Sequence, residues 1–415
     1  MFFYLISILL SPFIRCLARY RAYQGLEEGD RIKERYGYPS ITRPFGSLVW
    51  MHAASVGETV SIIPVIKAYK SAYPDQTILL TTTTVTAGTI AKQRLEKLCI
   101  HQYVPFDVGL WVDRFLNYWK PSLSVFIESE LWPNMIQRIY HHKIPLILLN
   151  ARLSDRSYKR WLRFPFFAKY LLKRFDLCLA QSPTTAERLK KLNAPNVRTM
   201  TNLKFAAEPL PYCELKFEEL KHLFKERPLW VATSTHAGEE EIVLEVHKNL
   251  QKEFPNLLTI LVPRHPLRTD KVEKLCMDLG FSVVRHSSLN KQRDFQIYLG
   301  DTIGELGLFF ALSRIVLMGG SFVPIGGHNP IEPAISKCVV LWGPYMHNFK
   351  DVCKILSKSC YNIKTPLELE NTLRDLLQKP DETIAMGEKA AAIVKEQAKS
   401  IQDIITTLRD YCTHE

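Results

Sequence analysis

The sequence predicts an α/β protein of two consecutive doubly wound parallel-sheet domains, preceded by an apolar N-terminal segment. Three observations predict it. Short apolar runs alternate with helical patterns from Ser47 to Ala180, and again from Leu229 to Trp342; strands alternating with helices imply a parallel sheet covered on both faces. The chain has 415 residues, more than one ordinary core accommodates. Between the two series, Ala206–Tyr212 carries Pro209 and Pro211 and reads as a linker. The expected division is residues 1–22 as a membrane anchor, 23–205 as the first domain, 206–218 as the linker and 219–415 as the second domain with the C-terminal helices.

Composition narrows the class. Hydrophobic content of 47% with 23% charged residues describes a globular chain. The net charge of +12, from 54 Lys and Arg against 42 Asp and Glu, favours an anionic partner: a nucleic acid, a membrane surface or a phosphorylated substrate. The nine cysteines include no C-x-x-C pair of a metal or redox site, which suits a reduced, cytosol-facing protein. There is no named nucleic-acid-binding motif, internal repeat or low-complexity tract.

The chain opens with the apolar run Met1–Ile14, followed by Arg15, Arg19, Tyr20 and Arg21. A spanning helix needs about 20 apolar residues; this run is shorter and contains Pro12. It lacks the charged start and small-residue cleavage site of a signal peptide. It reads as an anchor lying in one leaflet with arginines at the headgroups, or as a buried first helix.

In the first domain, strands are expected at Ser47–His52, Thr77–Thr81, Gln102–Pro105, Ser124–Ile127, Pro145–Asn150 and Leu177–Ala180. The first runs through Ala53–Glu58 into a helix reaching about Tyr73. Glu58 at that helix start reads either as a dipole-stabilised N-terminal carboxylate or as a general base facing the ligand crevice at the strand ends. Glu128 and Glu130 follow the fourth strand; alternation of side chains predicts that at most one faces the ligand. Between Lys159 and Phe175 aromatic and basic residues interleave, as a core-packed amphipathic helix or as a face toward lipid headgroups or a phosphorylated, acylated acceptor.

In the second domain, strands are expected at Leu229–Ala232, Leu257–Val262, Phe281–Val284, Ile297–Leu299, Ile315–Met318 and Cys338–Trp342. Thr302 and Glu305 have capping-box spacing. The densest stretch is Gly319–Ala334, where Gly319, Gly320, Gly326 and Gly327 separate a buried strand from a helix opened by Asn329, Pro330 and Glu332. Glycines let the backbone approach a ligand, and free N–H groups at a helix start favour a phosphate. Asn329 is expected as the cap and Glu332 as the closing residue of a capping box. Two doubly wound domains whose strand-end loops face one cleft describe the GT-B architecture.

Taken in chain order, these stretches resemble the bacterial 3-deoxy-D-manno-octulosonic acid (Kdo) transferases. The resemblance is carried by Arg31–Gly37, His52–Glu58, Glu128–Asn134, Asn150–Ser154, Gln181-Ser182, Asn202–Lys204, Ala232–Glu239, Pro263–Pro266, Asp301–Leu306 and Gly319–Ala334. It implies inverting transfer of Kdo from CMP-Kdo onto a lipid A precursor (lipid IVA) at the cytoplasmic face of the inner membrane. It also implies roles for residues. Glu58 is the general base. Ser55, Gly57, Glu130 and Lys204 lie on the acceptor side. Arg264, Ile303, Gly304, Leu306, Gly320, Ser321, Asn329 and Glu332 lie on the nucleotide side. CMP-Kdo is a substrate, and neither a cofactor nor a metal is expected, since CMP leaves readily and no His/Asp ligand cluster is evident. The expected partners are the donor, the acceptor and inner-membrane lipids, with no nucleic acid and no obligate protein. The sequence departs from the family at Ile303, where Met is usual, and at Thr201, where Gly is usual. Two other readings compete: a nucleotide-sugar epimerase of the same architecture, and a non-enzymatic basic peripheral membrane protein.

Overall fold

A computed structural model describes residues 2–225, 227–288 and 294–412. The first domain holds seven strands: β1 (Leu48–His52), β2 (Thr77–Thr82), β3 (Ile100–Tyr103), β4 (Leu123–Ile127), β5 (Leu146–Ala151), β6 (Leu177–Ala180) and β7 (Val197–Thr199). They form one parallel sheet in the order β3-β2-β1-β4-β5-β6-β7. Parallel strands need crossovers, which place helices on both faces, so the strands read as continuous apolar runs. In β1, Leu48 and Trp50 enter one core and Val49 and Met51 the other.

The second domain repeats the plan with β8 (Leu229–Thr235), β9 (Leu258–Pro263), β10 (Val283–Arg285), β11 (Ile297–Leu299), β12 (Ile315–Met318), β13 (Val339–Trp342) and β14 (Tyr361–Asn362). Their order is β10-β11-β9-β8-β12-β13-β14, again all parallel. Trp230, Ala232, Leu261, Leu317 and Leu341 share one core cluster. In each sheet the connection reverses direction beside the first strand of the series. That puts the switch points between β1 and β4 and between β8 and β12, and ligands of open α/β sheets bind at the carboxyl ends of such strands.

Three expectations change. The C-terminal helix Ile401–Asp410 packs on the first domain, not the second: Ile404, Ile405 and Leu408 join the core of Val49 and Ile66. The first compact unit therefore comprises the chain to Ala206 plus the stretch from Gln397. An amphipathic stripe demands burial but does not name its partner. Residues 214–218 are not linker; they open the helix Glu214–Phe224, whose Leu220 and Phe224 are buried. The aromatic-basic stretch is not one helix. It breaks at Phe164-Pro165 into Asp155–Arg163, which buries none of its residues, and Pro165–Leu172.

The N-terminal helix spans Phe2–Tyr23, continuing through Pro12 beyond the expected run; Met1 lies outside the described residues. It is long and apolar enough to cross a membrane. One side is docked along the first domain. Ser7 Oγ accepts from Gly109 N–H at 3.2 Å, Arg15 lies over Trp111, Ala18 is buried, and Arg21 pairs with Glu27 at 3.3 Å. The other side exposes Leu5, Ile6, Leu9, Leu10, Phe13 and Leu17, so it is not a buried core helix.

Candidate active site

At the β1/β4 switch point the helix Val56–Ala72 begins directly after β1. Ser55 caps it, accepting from Glu58 N–H at 3.3 Å, and returns its hydroxyl proton to Glu58 Oε1 at 3.1 Å. Glu58 Oε2 accepts from Ala54 N–H at 2.7 Å. The carboxyl is 9% exposed. Burial, then the nearby charge of Glu130, push it up to about 7 against the Ala54 hydrogen bond, with Glu128 adding to the rise. Gly57 stands beside it with a negative φ, and a Cβ there would meet only Ser55 Oγ, at 4.0 Å. Neither the backbone nor the chain's own packing requires glycine at 57, so the space beside Glu58 is open.

Both carboxylates after β4 reach this place, contrary to simple alternation. Glu128 has φ +60, a left-handed conformation uncommon outside glycine, so the chain leaves the strand there and the two-residue period ends. Glu128 lies 3.9 Å from Lys204 Nζ and 3.9 Å from Arg152 Nη1. Burial lowers the Lys204 ammonium; Glu128 opposes that fall and Arg152 adds to it. Burial disfavours charge on Glu130 as well, but His52 and Trp132 outweigh it and hold its carboxyl below the usual range. The His52 Nε2 atom is 3.6 Å from Glu130, an ion-pair distance rather than a hydrogen bond.

The motifs around Lys204 form its mount. Asn150, with φ +55 at the bulge between β5 and β6, accepts from Leu203 N–H at 3.2 Å. Asn202 accepts from Lys204 N–H at 3.0 Å and donates to Gln181 at 3.2 Å. Thr201 is not among the positive-φ residues, so the departure from glycine costs no backbone strain.

At the β8/β12 switch point the glycine loop differs from expectation. Its N–H groups are not free: Gly320 donates to Glu239 Oε2 at 2.7 Å, while Ser321 and Phe322 donate to Oε1 at 2.9 and 2.8 Å. Ser321, expected on the nucleotide side, is turned inward. It is fully buried, its hydroxyl donates to Met318 C=O at 2.5 Å and accepts from Gly343 N–H at 2.8 Å. It shapes the loop instead of presenting its hydroxyl. Gly320, also expected on the nucleotide side, is buried at φ +65; its N–H is bonded to Glu239 and its C=O accepts from Gly327 N–H at 2.7 Å, so it too shapes the loop. The helix after the loop begins at Ile331, later than expected; Asn329 still accepts from Ile331 N–H at 3.2 Å and donates to Glu332 at 3.1 Å. Burial raises the Glu332 carboxyl against that bond and the charge of exposed Arg264. His328 and His236 are hydrogen-bonded through Nε2 atoms 2.8 Å apart, one ring donating and the other accepting, with the rings parallel. Burial, with His236, Arg264 and His265 nearby, pushes His328 down to about 4, so it is neutral at pH 7.

The loop after β11 adjoins β9, whose end carries Arg264. Ile303 is 86% exposed, Gly304 is exposed at φ +89, and Leu306 is half-buried. Glu305, not Thr302, stands at the N-cap position of the following helix Leu306–Leu312 without a side-chain capping bond, and its carboxylate is held by Thr302, Lys216 and His286. Among the described residues no group of three or more His, Cys, Asp or Glu is arranged to hold a metal.

The structure thus gathers Ser55, Gly57, Glu58, Glu130 and Lys204 at one switch point, and Arg264, Gly320, Asn329 and Glu332 at the other. Sequence reasoning expected at most one of Glu128 and Glu130 to reach the site, and it gave Glu239 no role. For Glu239 a signal existed: like Glu58, it is a carboxylate in the first turn of the helix that follows its domain's first strand.

Residues 30–207 match the family model described as 3-deoxy-D-manno-octulosonic-acid transferase (kdotransferase). A protein of Arabidopsis thaliana named "Probable 3-deoxy-D-manno-octulosonic acid transferase, mitochondrial" is 37% identical over 96% of this chain and 92% of its own. The 3-deoxy-D-manno-octulosonic acid transferase of Haemophilus influenzae is 32% identical over 99% of this chain and 98% of its own. Among solved structures, the UDP-GlcNAc 2-epimerase of Neisseria meningitidis aligns with 85% of this chain and 99% of its own, with a TM-score of 0.59 and 14% identity. That likeness shows the GT-B fold alone; sequence identity over nearly the full length decides the family. The chain belongs to the 3-deoxy-D-manno-octulosonic acid transferase family, and is a glycosyltransferase that transfers Kdo.

Proposed function

We propose that this glycosyltransferase moves Kdo from CMP-Kdo to the lipid A precursor lipid IVA, with inversion, and that Glu58 is its general base. The observation that carries the reading is the Glu58 carboxyl: almost buried, poised at about 7, and beside an open space at a switch point. A base works best when its pKa lies near the working pH. Glu58 takes the proton of the acceptor hydroxyl as that oxygen bonds to the anomeric carbon. The bond from that carbon to phosphate breaks on the opposite face, and CMP departs. Lys204 and Glu130 hold the acceptor. Arg264, the 303–306 loop, and Asn329 with Glu332 hold the nucleotide, while Gly320 serves by shaping the loop. A nucleoside monophosphate leaves without a bridging metal, so no cofactor is required. The test is incubation of the purified full-length protein with CMP-Kdo and tetra-acylated lipid A precursor. Product formation that Glu58→Gln abolishes supports the reading; transfer by that variant within about tenfold of wild type overturns the base assignment.

The site of action proposed is the cytoplasmic face of the inner membrane. The N-terminal helix is docked along the domain while its other side exposes an apolar row, which suits an in-plane anchor rather than a span. Exposed Leu162, Phe164 and Phe166 add apolar surface among Lys159, Arg160, Arg163 and Lys169. Electrostatic attraction contributes about 1 kcal/mol per basic residue near an anionic surface. Removing residues 1–14 should leave enzyme that uses detergent-dispersed acceptor but works poorly on vesicles and is released by high salt. If the truncated protein stays membrane-bound at high salt, the anchor lies elsewhere.

A further inference from the structure

We infer that Glu239 is the positioning residue of the donor loop: its carboxylate is a built-in anion filling the backbone nest at the β8/β12 switch point, which fixes the loop that presents His328, Asn329 and Glu332. The inference rests on the reading of that loop as the donor site. Four backbone N–H groups converge on this one side chain: His236 at 3.0 Å and Gly320 at 2.7 Å on Oε2, with Ser321 at 2.9 Å and Phe322 at 2.8 Å on Oε1. Glu239 is 3% exposed. Convergent N–H groups of this kind form the nests that bind phosphate in other folds. A buried carboxylate persists only where donors replace its water, and charge-assisted bonds are the strong ones. Here the two requirements meet each other inside the chain.

The consequence is mechanical. Glu239 belongs to the turn after β8, whereas Gly320–Phe322 follow β12, the neighbouring strand. One carboxylate therefore ties two strand-end loops. Its neighbour Glu240, 1% exposed, accepts from Thr235 at the end of β8 at 2.9 Å and ties the loop on the other side through Arg268 at 2.7 and 3.1 Å. Adjacent carboxylates thus brace the turns that carry Glu332 and Arg264. The donor phosphate has no access to the N–H groups of residues 320–322; Arg264 and groups from His328 onward are left for it.

The test uses the full-length protein. Glu239→Ala should weaken CMP binding, by calorimetry, at least about tenfold, with the loss falling on donor KM more than on kcat. Sodium formate, with sodium chloride as the matched control, should refill the nest, raising the melting temperature of Glu239→Ala and recovering its CMP affinity. It should do neither for Gly327→Ala, which distorts the same loop at φ +77 by driving a Cβ to 2.0 Å from Met346 Sδ but opens no anion hole. Glu239→Gln keeps the volume but turns an N–H₂ group toward backbone donors, so it should also weaken CMP binding; it is decisive if the alanine variant does not fold. Wild-type CMP affinity in a folded Glu239 variant, or formate rescue that is absent or equal in Gly327→Ala, overturns the inference. If Glu332→Ala weakens CMP binding while Glu239→Ala does not, the inference fails and the donor site stands. If formate stabilises Glu239→Ala while neither variant alters CMP binding, the nest stands and the donor-site reading fails.

Discussion

The two switch points share a topology but use their carboxylates in opposite ways. Each sheet begins with a strand that leads directly into a helix, and each helix carries a glutamate in its first turn. At β8/β12, Glu239 receives four backbone N–H bonds and lies in a closed nest. At β1/β4, Glu58 receives one backbone bond and one hydroxyl, with Glu130 and Glu128 nearby. Donors stabilise the charged form, whereas burial and like charges disfavour it. A saturated carboxylate is a structural anion. A buried, under-donated one among like charges holds its proton to about 7 and can exchange it. The donor count, more than the position in the fold, separates the two carboxylates.

The largest expected effect comes from Glu58→Gln. It should lower transfer by about 10²- to 10⁴-fold, the usual contribution of a positioned base. It should also stabilise the protein. The folded carboxyl holds its proton up to about pH 7, whereas the ordinary value for glutamate is 4.5. Between those values the folded state binds more protons, so wild-type stability falls as pH rises. The melting temperature of Glu58→Gln should therefore match wild type below pH 4.5 and exceed it above pH 7, where the stability difference has a ceiling of about 3 kcal/mol at 1.36 kcal/mol per unit. Equal melting temperatures at pH 8 would show that Glu58 is not held in an unfavourable charged state.

Next is Glu332→Ala. On the nucleotide side the acceptor groups left after Glu239 is sealed are few, and Glu332 is half-buried beside Asn329. CMP affinity should fall about tenfold or more with kcat less affected; calorimetry giving unchanged affinity in folded protein rejects the role. The smallest effect is Gly57→Ala. Since the chain offers no obstacle to a Cβ there, stability should stay within about 0.5 kcal/mol, as for ordinary surface changes. Acceptor KM should rise severalfold, because the methyl group occupies space beside Glu58. An unchanged KM would mean that the acceptor approaches from elsewhere.

Much of the fold was legible because parallel strands buried on both faces are apolar runs. β6, β11 and β12 fall where the runs Leu177–Ala180, Ile297–Leu299 and Ile315–Met318 predict them. The third and ninth runs shift by about a turn's length at most, to Ile100–Tyr103 and Val283–Arg285. The edge strands Val197–Thr199 and Tyr361–Asn362 were not legible, since they are short and mostly exposed and carry no apolar run. The place of Glu58 in the first turn of its helix was legible from the run of strand, glycine loop and helix, a local pattern. The turn of Glu128 into the site was not, because its left-handed φ goes with backbone bonds to Leu149 and from Arg152 on the neighbouring strand's side, and no residue type announces it. The role of Glu239 depends on backbone groups from 81 to 83 positions away meeting it across neighbouring strands, and the inward turn of Ser321 on Gly343, 22 positions on, besides the local Met318. Local capping logic sees an open glycine loop there, when the anion that closes it comes from another strand.

The most direct measurement is the pH dependence of kcat/KM for transfer, in wild type and in Glu130→Gln. If only the deprotonated Glu58 takes the acceptor's proton, the wild-type rate should rise tenfold per pH unit on the acid side and level at about pH 7. Removing the Glu130 charge, the second cause of the raised value after burial, should move that bend to lower pH. A bend that stays in place in Glu130→Gln, or a wild-type profile already flat from pH 5 to 8, would contradict the claim that Glu58 is the base.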